Sequence, residues 1–344
     1  MSVLEAPRSA ILTRSARFQV SRGMSTILGA LVMLFIISAI FAPSSVSKGA
    51  VLGMLPFAAV LAIIGLGQTL VVQQGGIDLS VAGSVSLTVV FVTKLPDQKD
   101  NRLLYAVAVA FIVSLIAGLL NGILVSRLGI NPIVATLGMS SLLYAVMMIV
   151  SLGISHRTTV LLNNISSNLT LGIPNSIYFA IGAVIVTTLF LKMSVAGRRF
   201  EGIGANARAG RTAGLAVKRH QTSAYILAQL LYCLGGVLLG GILTQPTAYQ
   251  GDSLVLPSVA TVVLGGTSLL GGRGFPAASA VAAIFLSQLD QFVLSLKVPY
   301  AVRTLVTAMA LLVGIALYSV NWSLVKKKIL SAVREKKVGE ISHG

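Results

Sequence analysis

The stretch EGIGANARAGRTAGLAVKRHQ, residues Glu201–Gln221, gathers side chains whose chemistry is recognition rather than catalysis. Arg198, Arg199, Arg208, Arg211, Lys218 and Arg219 crowd into one short segment of a chain in which only 10% of residues are charged. Asn206 is a strong N-cap type, because its side-chain oxygen can accept from the free N–H groups of a first helical turn. Gly214 suits the left-handed position just past a helix end. Between them Ala207–Ala213 reads as a short helix, with Arg208 and Arg211 on one face and Leu215 following as an apolar contact. A helix this short does not persist alone in water. The segment is therefore either a solvated basic loop or a docking element for a partner, and caps at both ends favour the second.

A second group lies in apolar surroundings. Asp78 follows Gly75-Gly76 in VVQQGGIDLSVAGS and could accept backbone N–H bonds where a helix starts; as an acid in a span it is also a candidate for contact with an ion or substrate. Gln68, Gln73, Asn121 and Gln288, with Gln229 and Gln291, are neutral hydrogen-bonding groups of the kind a sugar pathway needs, or the kind that holds helices together. Catalytic and metal chemistry find no such support. There is no G-x-x-x-x-G-K-[ST] phosphate loop, since GGTSLLGGRG lacks the following Lys and Ser/Thr. Cys233 is the single cysteine, and His156, His220 and His343 are scattered without ligand spacing. The chain is expected to be no enzyme and to hold no metal or cofactor of its own.

The elements that position these groups are membrane spans. The mean hydropathy is +0.91 and 55% of residues are hydrophobic. Apolar runs at 26–42, 51–72, 77–93, 103–125, 133–151, 177–193, 223–244, 254–270, 276–294 and 301–320 predict about ten transmembrane helices at about 20 residues each. The expected fold is an all-α polytopic membrane protein with a weak internal repeat and short or broken helices. The short alternating segments of a β-barrel are absent. The formal net charge of +17 sits in tails and connections. The positive-inside rule accounts for it, and nucleic acid is not an expected partner.

That rule puts the N-tail (1–25), Arg127, the long loop 194–222, Arg273 and the C-tail (321–344, with Lys326–Lys328) in the cytoplasm, around a membrane domain of 26–320. Lys94 and Lys99, offset by Asp97 and Asp100, fall outside, as do Lys48, His156, Arg157 and Lys297. The Arg- and Ser-rich N-terminus is read as a cytoplasmic tail, with a signal or transit peptide as the alternatives. VVLGGTSLLGGRG (Val262–Gly274) echoes Val71–Ser84, pairing Gly75-Gly76 with Gly265-Gly266 and Leu79 with Leu269; helix breaks at matching places are common in transporters. Gly118-x-x-x-Gly122 and Gly236-x-x-x-Gly240 offer small faces for packing within the chain or in a dimer. Asp290 and Arg303 are expected to pair across the 295–300 turn.

Four segments in order carry a resemblance: GQTLVVQQGGIDLSV (Gly67–Val81), NPIVATLG (Asn131–Gly138), the pattern Asn206, Ala209, Arg211, Gly214, and QPTAYQGDSLVLPSVATVVLGGTSLLGGRG (Gln245–Gly274). Across Leu52–Tyr318 the chain resembles ABC-importer permeases of the ribose/xylose/arabinose branch. The resemblance implies a bacterial inner-membrane subunit, working with a second permease chain, a cytoplasmic ATPase that uses ATP-Mg, and a periplasmic solute-binding protein. It implies that Asn206–Gly214 is the coupling helix, which docks in a groove of the ATPase. The sequence departs from the family at Ala82, commonly Gly, and at Pro257, often acidic. A permease for nucleosides, branched-chain amino acids or a furanosyl signal molecule remains the alternative, with an ion-coupled secondary transporter behind it.

Overall fold

The computed structural model describes residues 22–299 and a few positions between 301 and 312. The chain winds through α1 (Arg22–Phe41), α2 (Lys48–Gln73), α3 (Val81–Lys94), α4 (Leu103–Ser126), α5 (Pro132–Ser151), α6 (Val160–Ser167), α7 (Asn175–Met193), α8 (Val195–Ala205), α9 (Ala207–Thr212), α10 (Val217–Ile242), α11 (Val255–Leu264) and α12 (Pro276–Ser295). Leu169–Thr170 and Ile173–Pro174 pair as a small antiparallel ribbon. Among the described residues, seven helices are long and apolar enough to cross a membrane: α1, α2, α4, α5, α7, α10 and α12. This is an all-α polytopic membrane protein.

Two of the expected spans are cut short. The run 77–93 becomes a helix only at Val81, and α3 has 14 residues. The run 254–270 yields α11, of 10 residues, which stops at Leu264. One cap geometry ends both α2 and α11. Gly75 has φ +79° and Gly266 has φ +87°. Gly75 and Gly76 donate to the carbonyls of Val72 and Val71, while Gly266 and Thr267 donate to those of Val263 and Val262. Each is a paired 5→2 and 6→1 closure around a left-handed residue. The left-handed position falls on the first glycine of Gly75-Gly76 and on the second of Gly265-Gly266. The span 301–320 and Arg303 lie largely or wholly outside the described residues, as do His343 and most of both tails.

The core is built around α10, which packs on α2, α3, α4 and α6. Small residues permit the approach. Gly118 and Gly122 of α4 lie against Ile226 and Thr222 of α10, and Gly236 and Gly240 lie against Thr88 and Val92 of α3. Both small-x-x-x-small motifs are consumed inside the chain, with backbones in close contact where lipid supplies no hydrophobic drive. Tyr225, Tyr232, Ile63, Ile64 and Leu66 fill the centre, fully buried. By contrast α1, α4, α5 and α7 leave large apolar side chains exposed along one side, as lipid-facing helices do.

Candidate functional site

At the basic end of the bundle, α8 and α9 fold back beneath α7 and α10. Asn206 caps α9: its Oδ1 accepts from the N–H groups of Arg208 and Ala209, both at 3.0 Å. Gly214, at φ +74°, closes the other end. Its N–H donates to the Arg211 carbonyl, and the Leu215 N–H donates to that of Gly210. Gly210 is buried against Ile203 and Val217, whereas Arg208, Ala209, Arg211 and Gly214 are exposed and Leu215 is half-buried. One face of α9 is thus clamped to the protein, and the other faces outward with Arg208, Ala209 and Arg211 exposed on it.

The preceding helix reaches both breaks. Phe200 and Ile203 anchor α8 in the core, and Phe200 meets Phe190 edge-on at 6.1 Å. Gln74 Nε2, from the first break, donates to the Phe200 carbonyl at 2.8 Å. The Gly272 N–H, from the second break, donates to the Gln73 carbonyl at 3.0 Å. Gly204 of α8 lies directly on that same Gln73 carbonyl, and Gly271 lies on the carbonyl of Gly204. Glu201 pairs with Lys192 at 3.2 Å and approaches Arg273 at 3.9 Å. Three backbone segments therefore meet at one seam, in direct contact at Gln73, Gly204 and Gly271.

Deeper in the bundle, the chain leaving the first break is held by a buried polar cluster. Asp78 Oδ1 accepts from the Ser80 N–H at 2.9 Å and from the Ser80 hydroxyl. The Ser80 oxygen accepts in turn from Asn121 Nδ2 at 2.9 Å and Gln229 Nε2 at 2.6 Å. Gln68, oriented with its oxygen toward the Asp78 N–H at 3.2 Å, donates to the Asp78 carbonyl at 3.1 Å and to the Tyr232 hydroxyl at 2.6 Å. Asp78 binds the residue just before α3 rather than the N–H groups of its first turn. Gln288 donates to Ser38 at 3.1 Å, joining α12 to α1. Gln73 is buried with both amide atoms unpaired among the described residues. Gln68, Gln73, Asn121 and Gln288 are each fully buried within the single chain. Gly265, also buried, packs on Ser279.

One group of residues carries no individual role in the sequence reading. Asp252 and Tyr249, in the connection between α10 and α11, meet Tyr144 of α5. Among the described residues no cluster of His, Cys, Asp and Glu could hold a metal ion.

The family described as branched-chain amino acid transport system / permease component matches residues 50–323. The chain belongs to this family. The permease is 34% identical to a probable ABC transporter permease protein of Sinorhizobium fredii, over 90% of this chain and 93% of the relative. It is 30% identical to a ribose import permease protein of Bacillus subtilis, over 87% and 93%. It is 28% identical to a fructose import permease protein of Bifidobacterium longum, over 73% and 72%. No solved structure matches significantly. The permease is a multi-pass transport subunit of the ABC-importer class, a class that works with ATPase and solute-binding partners.

Proposed function

We propose that this permease is the membrane-spanning subunit of a bacterial importer for a sugar or sugar-like polyol. Two permease chains form the pathway, a periplasmic solute-binding protein delivers the substrate, and a cytoplasmic ATPase using ATP-Mg seats on α9. Substrate class rests on the ribose and fructose import permeases among the relatives. The observation that carries the mechanism is the geometry of α8 and α9. A capped helix presents Arg208, Ala209 and Arg211 outward, while its continuous neighbour grips both helix breaks through backbone contacts. A push on α9 is thus delivered to the two places where the spans are least continuous.

The test is co-purification of the ATPase alongside solute uptake. Ala209→Trp adds bulk at the exposed centre of α9 and is expected to reduce bound ATPase to roughly a tenth, the effect of losing about 1.4 kcal/mol. Gly214→Val forces a β-branched residue to a positive φ and acts at least as strongly. Arg211→Ala is expected to be milder, because an exposed charge contact is worth about 1 kcal/mol or less. If both Ala209→Trp and Gly214→Val keep the ATPase and transport normally, α9 is not the coupling element.

The orientation follows from charge. Arg127, Arg198, Arg199, Arg208, Arg211 and Arg273 mark the α8–α9 end, whereas at the other end Lys94 and Lys99 stand beside Asp97 and Asp100, with Lys48, Arg157 and Lys297 dispersed over separate connections. Both termini are then cytoplasmic. A C-terminal fusion to green fluorescent protein is expected to fluoresce, and one to alkaline phosphatase to be inactive; the reverse pattern overturns the orientation.

A further inference from the structure

The connection between α10 and α11 does not stay at the membrane surface. Just past the end of α10, the Thr244 carbonyl accepts from the Thr158 N–H at 3.2 Å, in the loops opposite α8 and α9. By Gly251 the chain has descended along α3. The Gly251 N–H donates to Ser86 Oγ at 2.9 Å, and Gly251 lies on the Ala82 carbonyl. Ala82 is about 18 Å of helix from Lys94, more than half of the roughly 30 Å hydrocarbon core. The segment Asp252–Leu254 and the start of α11 therefore sit deep in the membrane, which is why α11 needs only 10 residues to reach the cytoplasmic seam.

This descent places a carboxyl group at mid-depth. Asp252 is exposed in the single chain. Its Oδ1 accepts from the Tyr144 hydroxyl. The ring of Tyr249, 49% exposed, lies 5.2 Å from that of Tyr144 with their planes tilted by 54°. Tyr144 is about 18 Å along α5 from Pro132, again near the middle. An acid on a hydrocarbon-facing surface at this depth is strongly disfavoured, and such groups line water-filled cavities or pair with other protein groups. Among the described residues, Asp252 Oδ2 has no protein donor. Two aromatic rings at an angle with an acceptor beside them suit a small ring that is apolar on its C–H face and carries hydroxyl donors on its edge.

We infer that Tyr144, Tyr249 and Asp252 form a mid-membrane station for a neutral, monosaccharide-sized polyol on the transport path. The rings take the C–H face, and Asp252 accepts from neighbouring hydroxyls. The inference rests on the sugar-import reading above.

The experiment uses the complete transporter, with its ATPase and binding protein, in proteoliposomes loaded with ATP and offered labelled ribose, fructose or leucine. The wild type imports a sugar and not leucine. Tyr249→Ala and Asp252→Ala each lower sugar uptake roughly 10- to 100-fold, the range expected for losing hydrogen bonds to a charged group or a comparable contact. Asp252→Asn stays within about 3-fold of the wild type, since an amide still accepts and donates and loses only the charge-assisted part. Tyr249→Cys reacts with a membrane-impermeant maleimide, and the transported sugar slows the reaction. Cys233, buried, supplies the background.

Sugar import that is unchanged in both alanine variants overturns the station and leaves the sugar reading standing. Import of leucine in place of sugar overturns that reading and the ligand class together. Asp252→Asn as inactive as Asp252→Ala points to a cationic ligand and overturns the neutral-polyol assignment. If the alanine variants fail to assemble, labelling decides: a Tyr249→Cys chain inert to the water-soluble reagent overturns the station.

Discussion

Asp78→Leu is expected to cost the permease its assembly, while Asp78→Asn keeps most of it. The carboxyl group fixes the turn between the first helix break and α3 by accepting both the N–H and the hydroxyl of Ser80. Leucine leaves the Ser80 N–H without its acceptor and loosens the serine oxygen on which Asn121 and Gln229 converge. Each buried polar group so orphaned costs about 1–3 kcal/mol, and several in one cluster approach the whole stability of a typical domain, about 5–15 kcal/mol. Asparagine retains an oxygen for Ser80, and Gln229, whose own Oε1 is unpaired among the described residues, can turn to accept from the new amide. The measurement is the yield and thermal midpoint of detergent-purified permease, alongside uptake. An Asp78→Asn protein that assembles well but does not transport would assign Asp78 a direct part in transport. An Asp78→Leu protein indistinguishable from the wild type would show the cluster to be idle.

What could be read from the sequence divides by range. Asn206 and Gly214 were legible because capping is local: the hydrogen bonds that make the cap close within a few residues. The breaks were legible for the same reason, as Gly-Gly pairs in apolar runs. Which glycine turns was not legible, because a Gly-Gly pair offers two candidates for the left-handed position; the first glycine takes it at Gly75 and the second at Gly266. The length of the spans was less legible. Hydropathy continues past Leu264 and begins before Val81, and backbone caps, which hydropathy does not report, decide where those helices stop and start. The partners of the Asp78–Ser80 pair were not legible, because Asn121, which donates to Ser80, and Gln229, which donates to both, are brought there only by the packing of α4 and α10. Asp252 was hidden differently. TQPTAYQGDS is polar and reads as a surface loop, and only the contact of Gly251 with Ser86 shows that it descends.

Gly204→Val is expected to uncouple the permease without releasing its ATPase. Gly204 stands on the Gln73 carbonyl, the acceptor for the Gly272 N–H, so any Cβ there collides with the backbone that joins the two breaks. Backbone cannot yield as a flexible side chain can. Either α8 lifts from the seam or the bond between Gln73 and Gly272 opens. Forced overpacking of this kind costs typically about 1–3 kcal/mol, occasionally more. The outward face of α9 is untouched, because Asn206 and the closure at Gly214 form their bonds within residues 206–215. The ATPase should therefore co-purify with Gly204→Val at close to the wild-type ratio and hydrolyse ATP, while solute uptake falls to roughly a tenth or less, the consequence of about 1.4 kcal/mol lost from the coupled state. Ala209→Trp, on the same loop, should fail in the opposite manner, losing the ATPase itself. Gly202 provides the control. It lies in α8, exposed, with nothing within reach of a Cβ, and Gly202→Ala should transport normally, since alanine is the better helix former by about 1 kcal/mol. Gly204→Val and Gly202→Ala giving equal uptake would show that motion of α9 reaches the spans by some route other than the seam at Gln73.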